Sequence, residues 1–189
     1  MTPATVARLI VERAGDLIAA QTRGELPAAP TIDMVLAHPP VADGIACCGR
    51  LPGRQVVLLA ALAAGRSVIG RWRLAYPDLA GPLEALAAAE RWAAEPTDAA
   101  ADEAARAADR AIRESLGVWC GPDRAAAWAG RTAAWVGMSP KYGWPAVAAL
   151  AGACEAGGAE PVVAAVSACL TELCSGHAEP SAAADRGRM

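Results

Sequence analysis

Leu51–Tyr76 reads LPGRQVVLLAALAAGRSVIGRWRLAY. Every residue from Val56 to Ala64 is apolar, so a helix here has no polar stripe to turn toward water. A helix that is apolar on all sides is one that other helices enclose. The run is also about half as long as the ~20 apolar residues that a bilayer span requires. Leu51-Pro52-Gly53 opens the segment, Pro77 stops it, and Arg66 to Arg73 brings an amphipathic pattern to its far end. Gly53–Tyr76 is therefore predicted to be the central helix of a soluble all-α domain.

Helical patterns punctuated by proline and glycine run outward from this segment in both directions. Upstream, Thr2-Pro3 supplies an N-cap and a first-turn proline for a helix that ends at Thr22-Arg23-Gly24. Short helices are expected over Thr31–Ala37 and Pro40–Gly49. Downstream, Leu83–Glu95 and Thr97–Leu116 follow, then a helix from Pro122-Asp123 to about Gly137 and a loop over Met138–Trp144. Two further helices are expected over Pro145–Ala156 and Glu160–Cys174. Strand-like alternation is missing throughout. The fold expected is all-α, a single irregular (orthogonal) bundle of about eight or nine helices over residues 1–175, with a disordered tail over 176–189. A short alpha-solenoid is the alternative topology, although no signature repeats at a fixed offset.

Composition dictates how such a bundle packs. Ala makes up about a quarter of the 189 residues, Phe is missing, and Lys141 is the one lysine beside sixteen Arg. Ala, Arg, Gly and Pro in joint excess follow from a GC-rich genome more simply than from selection for guanidinium chemistry. Ala is the best helix former but has little side chain to bury. The helices must approach closely, and the six Trp take the space that Phe would share. A net charge of −3 argues against a nucleic-acid binder, which needs a basic excess. Met1–Arg13 lacks the ordered basic, apolar and small-residue segments of a secretory signal. Together with six Cys and no CxxC, this predicts a cytoplasmic protein without a membrane span.

Chemistry-bearing motifs are sparse. The chain has no phosphate-binding glycine loop and no Gly-x-Ser-x-Gly elbow. Its two His, His38 and His177, lie far apart. Asp102, Glu103, Asp109 and Glu114 cluster on the polar Thr97–Leu116 helix, where Asp102–Arg106, Asp109–Arg113 and Arg110–Glu114 stand at i,i+4 spacing. They read as solvated charge on an outer helix rather than as a shielded acid–base pair. Neither an enzyme nor a cofactor is expected. A metal site would need Cys47, Cys48 and Cys120 brought together from distant segments.

Pro122–Pro145 is the most informative stretch. Trp128 and Trp135 are seven apart and share a helical face, while Arg124 and Arg131 each precede a Trp by four, a spacing that permits guanidinium–indole stacking. Lys141, Tyr142 and Trp144 follow. One reading makes the tryptophans core with arginines covering their rim. The other makes Arg124, Trp128, Arg131, Trp135, Lys141, Tyr142 and Trp144 a partner-binding patch, since Trp, Tyr and Arg dominate interface hot spots.

Several landmarks follow in a fixed order: Leu51-Pro52-Gly53-Arg54 opening an apolar helix, ALAAAERWAAEP over Ala85–Pro96, a polar Ala-rich helix, Ala126-Ala127-Trp128, Gly137-Met138-Ser139-Pro140 and Pro145-Ala146-Val147. This order resembles an Ala-rich, all-helical family of bacterial proteins of unknown function, some of which are associated with type VI secretion gene neighbourhoods. The resemblance covers roughly Leu51 to Cys174. Where that family carries a longer proline run, this chain has SPKYGWP over Ser139–Pro145. The resemblance implies no catalytic residues and points to a helical adaptor or accessory factor in a bacterial protein assembly, with a protein partner. Two alternatives stand beside it. One is an immunity protein whose acidic Thr97–Leu116 face covers a toxin's basic site; the other is a small-ligand or metal binder. A homodimer is compatible with the apolar surface that an Ala-rich chain leaves over.

Overall fold

Nine helices follow one another along the residues that the computed structural model describes, which are 1–26, 28–46 and 51–175. In chain order they are α1 (Pro3–Thr22), α2 (Ile32–Leu36), α3 (Pro39–Ala46), α4 (Gly53–Ala75), α5 (Gly81–Ala94), α6 (Asp98–Gly117), α7 (Arg124–Tyr142), α8 (Pro145–Gly157) and α9 (Ala159–Ser175). The expected all-α bundle is what forms, with no strand among the described residues. Cys47, Cys48, His177 and the segment read as a tail over 176–189 lie outside the described residues. No helix among the described residues is long and apolar enough to cross a membrane.

The apolar run places α4 at the centre. It packs against α5, α7, α8 and α9 and also meets α2 and α3, burying Val56, Val57, Ala60, Leu62, Val68 and Trp72. In a solenoid each repeat touches only its sequence neighbours, so a helix with partners from both ends of the chain marks a bundle. Trp72 is the largest fully enclosed side chain. Its indole N–H donates to the Leu79 carbonyl at 2.8 Å, and Tyr76 tilts against its ring at 4.8 Å between centroids. The ring lies on Gly130 of α7, where an added Cβ would overlap the indole.

α5, α6 and α7 meet through alanine. Ala85, Ala88, Ala104, Ala108, Ala111 and Ala134 form a buried cluster of their own, and a Cβ on Gly137 would meet Ala85 and Ala108 at 3.1 Å. Each methyl contributes only about 0.8 kcal/mol by burial, so this seam depends on many close contacts between helix surfaces. α6 keeps its charged face in solvent, as expected of an outer helix, but departs from that reading on its alanine face, since Ala101, Ala104, Ala105, Ala107, Ala108, Ala111 and Ser115 are all buried.

Its charges also depart from the expected i,i+4 pattern and instead cross to neighbouring helices. Arg110 pairs with Glu84 of α5 at 2.6 Å, Glu103 with Arg91 of α5 at 2.6 Å, and Asp102 with Lys141 of α7 at 2.8 Å. The Glu114 carboxylate accepts the Gly81 N–H at 2.8 Å, capping α5, which has no side-chain cap of its own. Of the three expected pairs, Asp102 and Arg106 retain an attraction. Spacing along one helix cannot reveal that the adjoining helices offer partners at hydrogen-bond distance. The hydroxyls of Thr2 and Thr97 cap α1 and α6 as expected, each accepting from an N–H three residues on at 3.2 Å.

The expected loop over Met138–Trp144 is mostly helix. α7 continues through Pro140 to Tyr142 and closes at Gly143, whose φ of 75° with ψ of −52° is a γ-turn geometry suited to glycine. Its N–H donates to the Ser139 carbonyl at 2.8 Å. Proline removes one N–H donor, but its fixed φ is helical. The Ser139 hydroxyl donates to the Trp135 carbonyl at 2.7 Å, and burial of Val136, Gly137 and Ser139 against the bundle holds this turn in place.

The two kinds of helical glycine predict opposite signs. Gly130→Ala drives a methyl into Trp72 and is expected to destabilise the fold by at least about 2 kcal/mol. Gly70→Ala, with nothing within 4 Å of its added Cβ, is expected to stabilise it by about 0.5–1 kcal/mol. Urea unfolding of both variants checks this; equal effects would show that the Trp72 seat is plastic.

Candidate functional site

Three tryptophans line up along one side of the bundle. Trp119, in the turn after α6, meets Trp128 edge-on at 4.8 Å between centroids. Trp128 in turn tilts against Trp135 at 6.1 Å. Such edge and tilted arrangements suit the ring quadrupoles. Trp128 and Trp135 pack against the main core, yet both remain half-buried. The core reading of these two residues is thus met in part, since they also face a groove.

That groove has a volume of about 790 Å³, inside the ~300–1,000 Å³ range typical of ligand sites. Trp128, Arg131 and Trp135 of α7 form its floor. The C-terminal half of α1 supplies one wall through Gly15, Ile18 and Ala19, and α8 the other through Ala148, Ala151 and Gly152. Trp144, 37% exposed, stands at the α7–α8 corner. Small residues make the hollow. A Cβ on Gly152 would come within 2.8 Å of the Trp135 ring and 2.9 Å of the Thr132 hydroxyl, so glycine there leaves the Trp135 ring room against α8.

Arg131 is the polar element of the floor. Its guanidinium carbon sits 5.3 Å from the centroid of the Trp135 ring, the i,i+4 stacking that the spacing predicted. One guanidinium nitrogen, Nη1, is buried without a hydrogen-bond partner. Burial pulls the group below the ordinary arginine value, with no carboxylate opposing the shift. It nevertheless keeps its proton at neutral pH.

The structure thus brings Trp128, Arg131, Trp135 and Trp144 together. Arg124, Lys141 and Tyr142 do not line the groove. Arg124 makes no cation–π contact with Trp128, whose ring is occupied by Trp119 and Trp135. Lys141 is drawn to Asp102 and lies 5.7 Å from the Tyr142 ring centroid. Sequence reasoning missed Trp119, which no helical spacing relates to Trp128. It also missed the wall residues Gln21, Thr22, Arg23, Cys154 and Glu155, which are remote in sequence from α7. The acidic face of α6 is engaged by Arg91 and Lys141, which reduces the free negative surface it offers to a basic partner.

No group of three or more His, Cys, Asp or Glu able to hold a metal occurs among the described residues. Cys120 is an exposed free thiol, and its proposed companions Cys47 and Cys48 lie outside the described residues. Burial pushes the Cys154 and Cys169 thiols up, with Glu155 and Glu172 adding to the effect. In comparisons with known protein families, curated proteins and solved structures, nothing matches this chain.

Two outcomes follow from this geometry. Arg131→Met relieves a desolvated charge and forfeits a ring contact of about 0.5–1 kcal/mol; its Tm is expected at or above that of the wild type. A loss beyond about 1 kcal/mol would instead make the guanidinium a structural clamp. At mildly alkaline pH, iodoacetamide should alkylate Cys120 before Cys154 and Cys169, as read by peptide mass mapping; equal rates would contradict the burial of the latter two.

Proposed function

We propose that the protein is a non-enzymatic helical interaction protein, an adaptor or accessory factor in a bacterial protein assembly, that receives a partner protein in the groove over α7. The observation that carries this reading is the half-open tryptophan ladder. A bundle so short of large side chains would gain most by sinking Trp128, Trp135 and Trp144 completely, as it does Trp72, yet these three remain accessible around a single hollow. Each Trp placed in such a hollow offers a large rigid contact area at low entropic cost, which is why Trp and Arg concentrate the binding energy of interfaces. The resemblance of residues 51–174 to an Ala-rich bacterial family with members in type VI secretion neighbourhoods supports the accessory role.

Site-specific photo-crosslinking in cells tests the reading. A benzophenone side chain at Trp144 should trap a defined protein partner, and one at Thr171, on the exposed side of α9 away from the groove, should not. With the trapped partner, Trp144→Ala should weaken binding by about thirtyfold or more, the scale of a hot-spot residue, while Tyr142→Ala, outside the groove lining, changes it far less. Capture that is indifferent to position 144 would overturn the groove as the partner surface.

A further inference from the structure

The floor of the groove carries a positive charge that the protein itself does not neutralise. Several surface cations are matched, Arg8 by Glu160, Arg23 by Glu25, Arg54 by Asp33, Arg66 by Glu90 and Arg91 by Glu103, and Arg71, Arg73, Arg106, Arg113 and Arg124, which make no ion pair among the described residues, are exposed to water. Arg131 has no acidic partner among the described residues, although it is more desolvated than any of these. Its Nη1 is sealed from solvent with no acceptor, which leaves Nε and Nη2 as the donors for a ligand, and the residue lines the groove beside Trp135. Two other charged residues line the groove, and neither pairs with Arg131. Arg23 at the α1 wall is matched by Glu25 at 2.6 Å, and Glu155 on α8 is exposed and makes no ion pair with Arg131. A desolvated guanidinium beside an aromatic face is a forked donor set that fits a planar carboxylate.

We infer that the groove recognises a short acidic–apolar segment of the partner protein, with an aromatic or branched aliphatic side chain on the Trp128–Trp135–Trp144 surface and the carboxylate of a nearby Asp or Glu on Arg131. The inference rests on the groove being the partner surface. Two features of the geometry favour a peptide. The hollow is open to solvent rather than closed over, and apolar residues of two helices line it, Ile18 and Ala19 of α1 and Ala148 of α8, so a chain can lie in it while its side chains dock. The carboxylate is what an exposed apolar anchor alone would not supply, and it converts a general sticky surface into one with a required spacing between anchor and acid.

Selection from a random heptapeptide display library on the full chain tests both levels. Wild-type protein should enrich peptides with an aromatic or aliphatic anchor and an Asp or Glu at a fixed offset. A synthetic peptide of that motif should bind at least about tenfold more tightly than its Asn or Gln counterpart, as read by calorimetry. Arg131→Gln, with its circular dichroism unchanged, should still enrich the anchor and lose the acid. Enrichment of apolar anchors without acids on the wild type would overturn the carboxylate while leaving the groove as the partner surface. If no motif is enriched but 4-phenylbutyrate quenches the tryptophan fluorescence and 4-phenylbutyramide does not, the occupant is a small carboxylate and the peptide assignment is overturned. Absence of any selected motif and of any quenching would overturn the groove reading itself.

Discussion

The seating of Trp72 on Gly130 is the contact on which the bundle turns. A side chain of that volume can be enclosed only where a facing helix gives up its own side chain, and α7 does so at this one point. The consequence propagates in two directions. Through the indole N–H bond to Leu79, the end of α4 and the α4–α5 connection are held as one unit. Through the close approach of α4 and α7, the helical phase of α7 is locked, because rotating it would bring Ala129 or Arg131 against the indole. With that phase set, Trp128, Arg131 and Trp135 have no choice but to face away from α4, toward α1 and α8.

The same close approach explains how a chain with so much alanine supports a core at all. Alanine supplies little transfer free energy per residue, so the helices of the α5–α6–α7 seam come near enough for glycine and alanine surfaces to touch, as at Gly137. Packed this tightly, charged residues at the seam edges end within reach of the next helix. The ion pairs Arg91–Glu103, Arg110–Glu84 and Lys141–Asp102 are products of that proximity. Being exposed, they contribute little each, but they orient α6, and Glu114 closes the open N-terminus of α5.

Against α1 the packing logic reverses. α1 packs on α8 and α9, and Gly15 and Ala19 keep part of its wall toward α7 small. Space that would have been core becomes groove. Arg131 sits inside this incomplete packing with a charge that has neither full hydration nor a counter-ion, a state that is costly in an isolated chain and favourable once an anion is docked. The proposed partner chemistry and the odd energetics of this one residue are two descriptions of the same arrangement.

Much of this was legible in the chain. The nine-residue apolar run determined a surrounded central helix, the Thr and Pro signals determined where α1 and α6 begin, and the spacing of Arg131 and Trp135 determined their stacking, because each depends only on helical geometry. Pro140 misled, since its effect on α7 is decided by burial of the turn around it rather than by the missing N–H alone. What belongs to tertiary structure is every relation between residues far apart in sequence: Trp72 against Gly130, Trp119 against Trp128, Glu114 on α5, and the separation of α1 from α7 that leaves a hollow. Those depend on which helices lie side by side and at what rotation, a property of the whole packed set that no local pattern encodes.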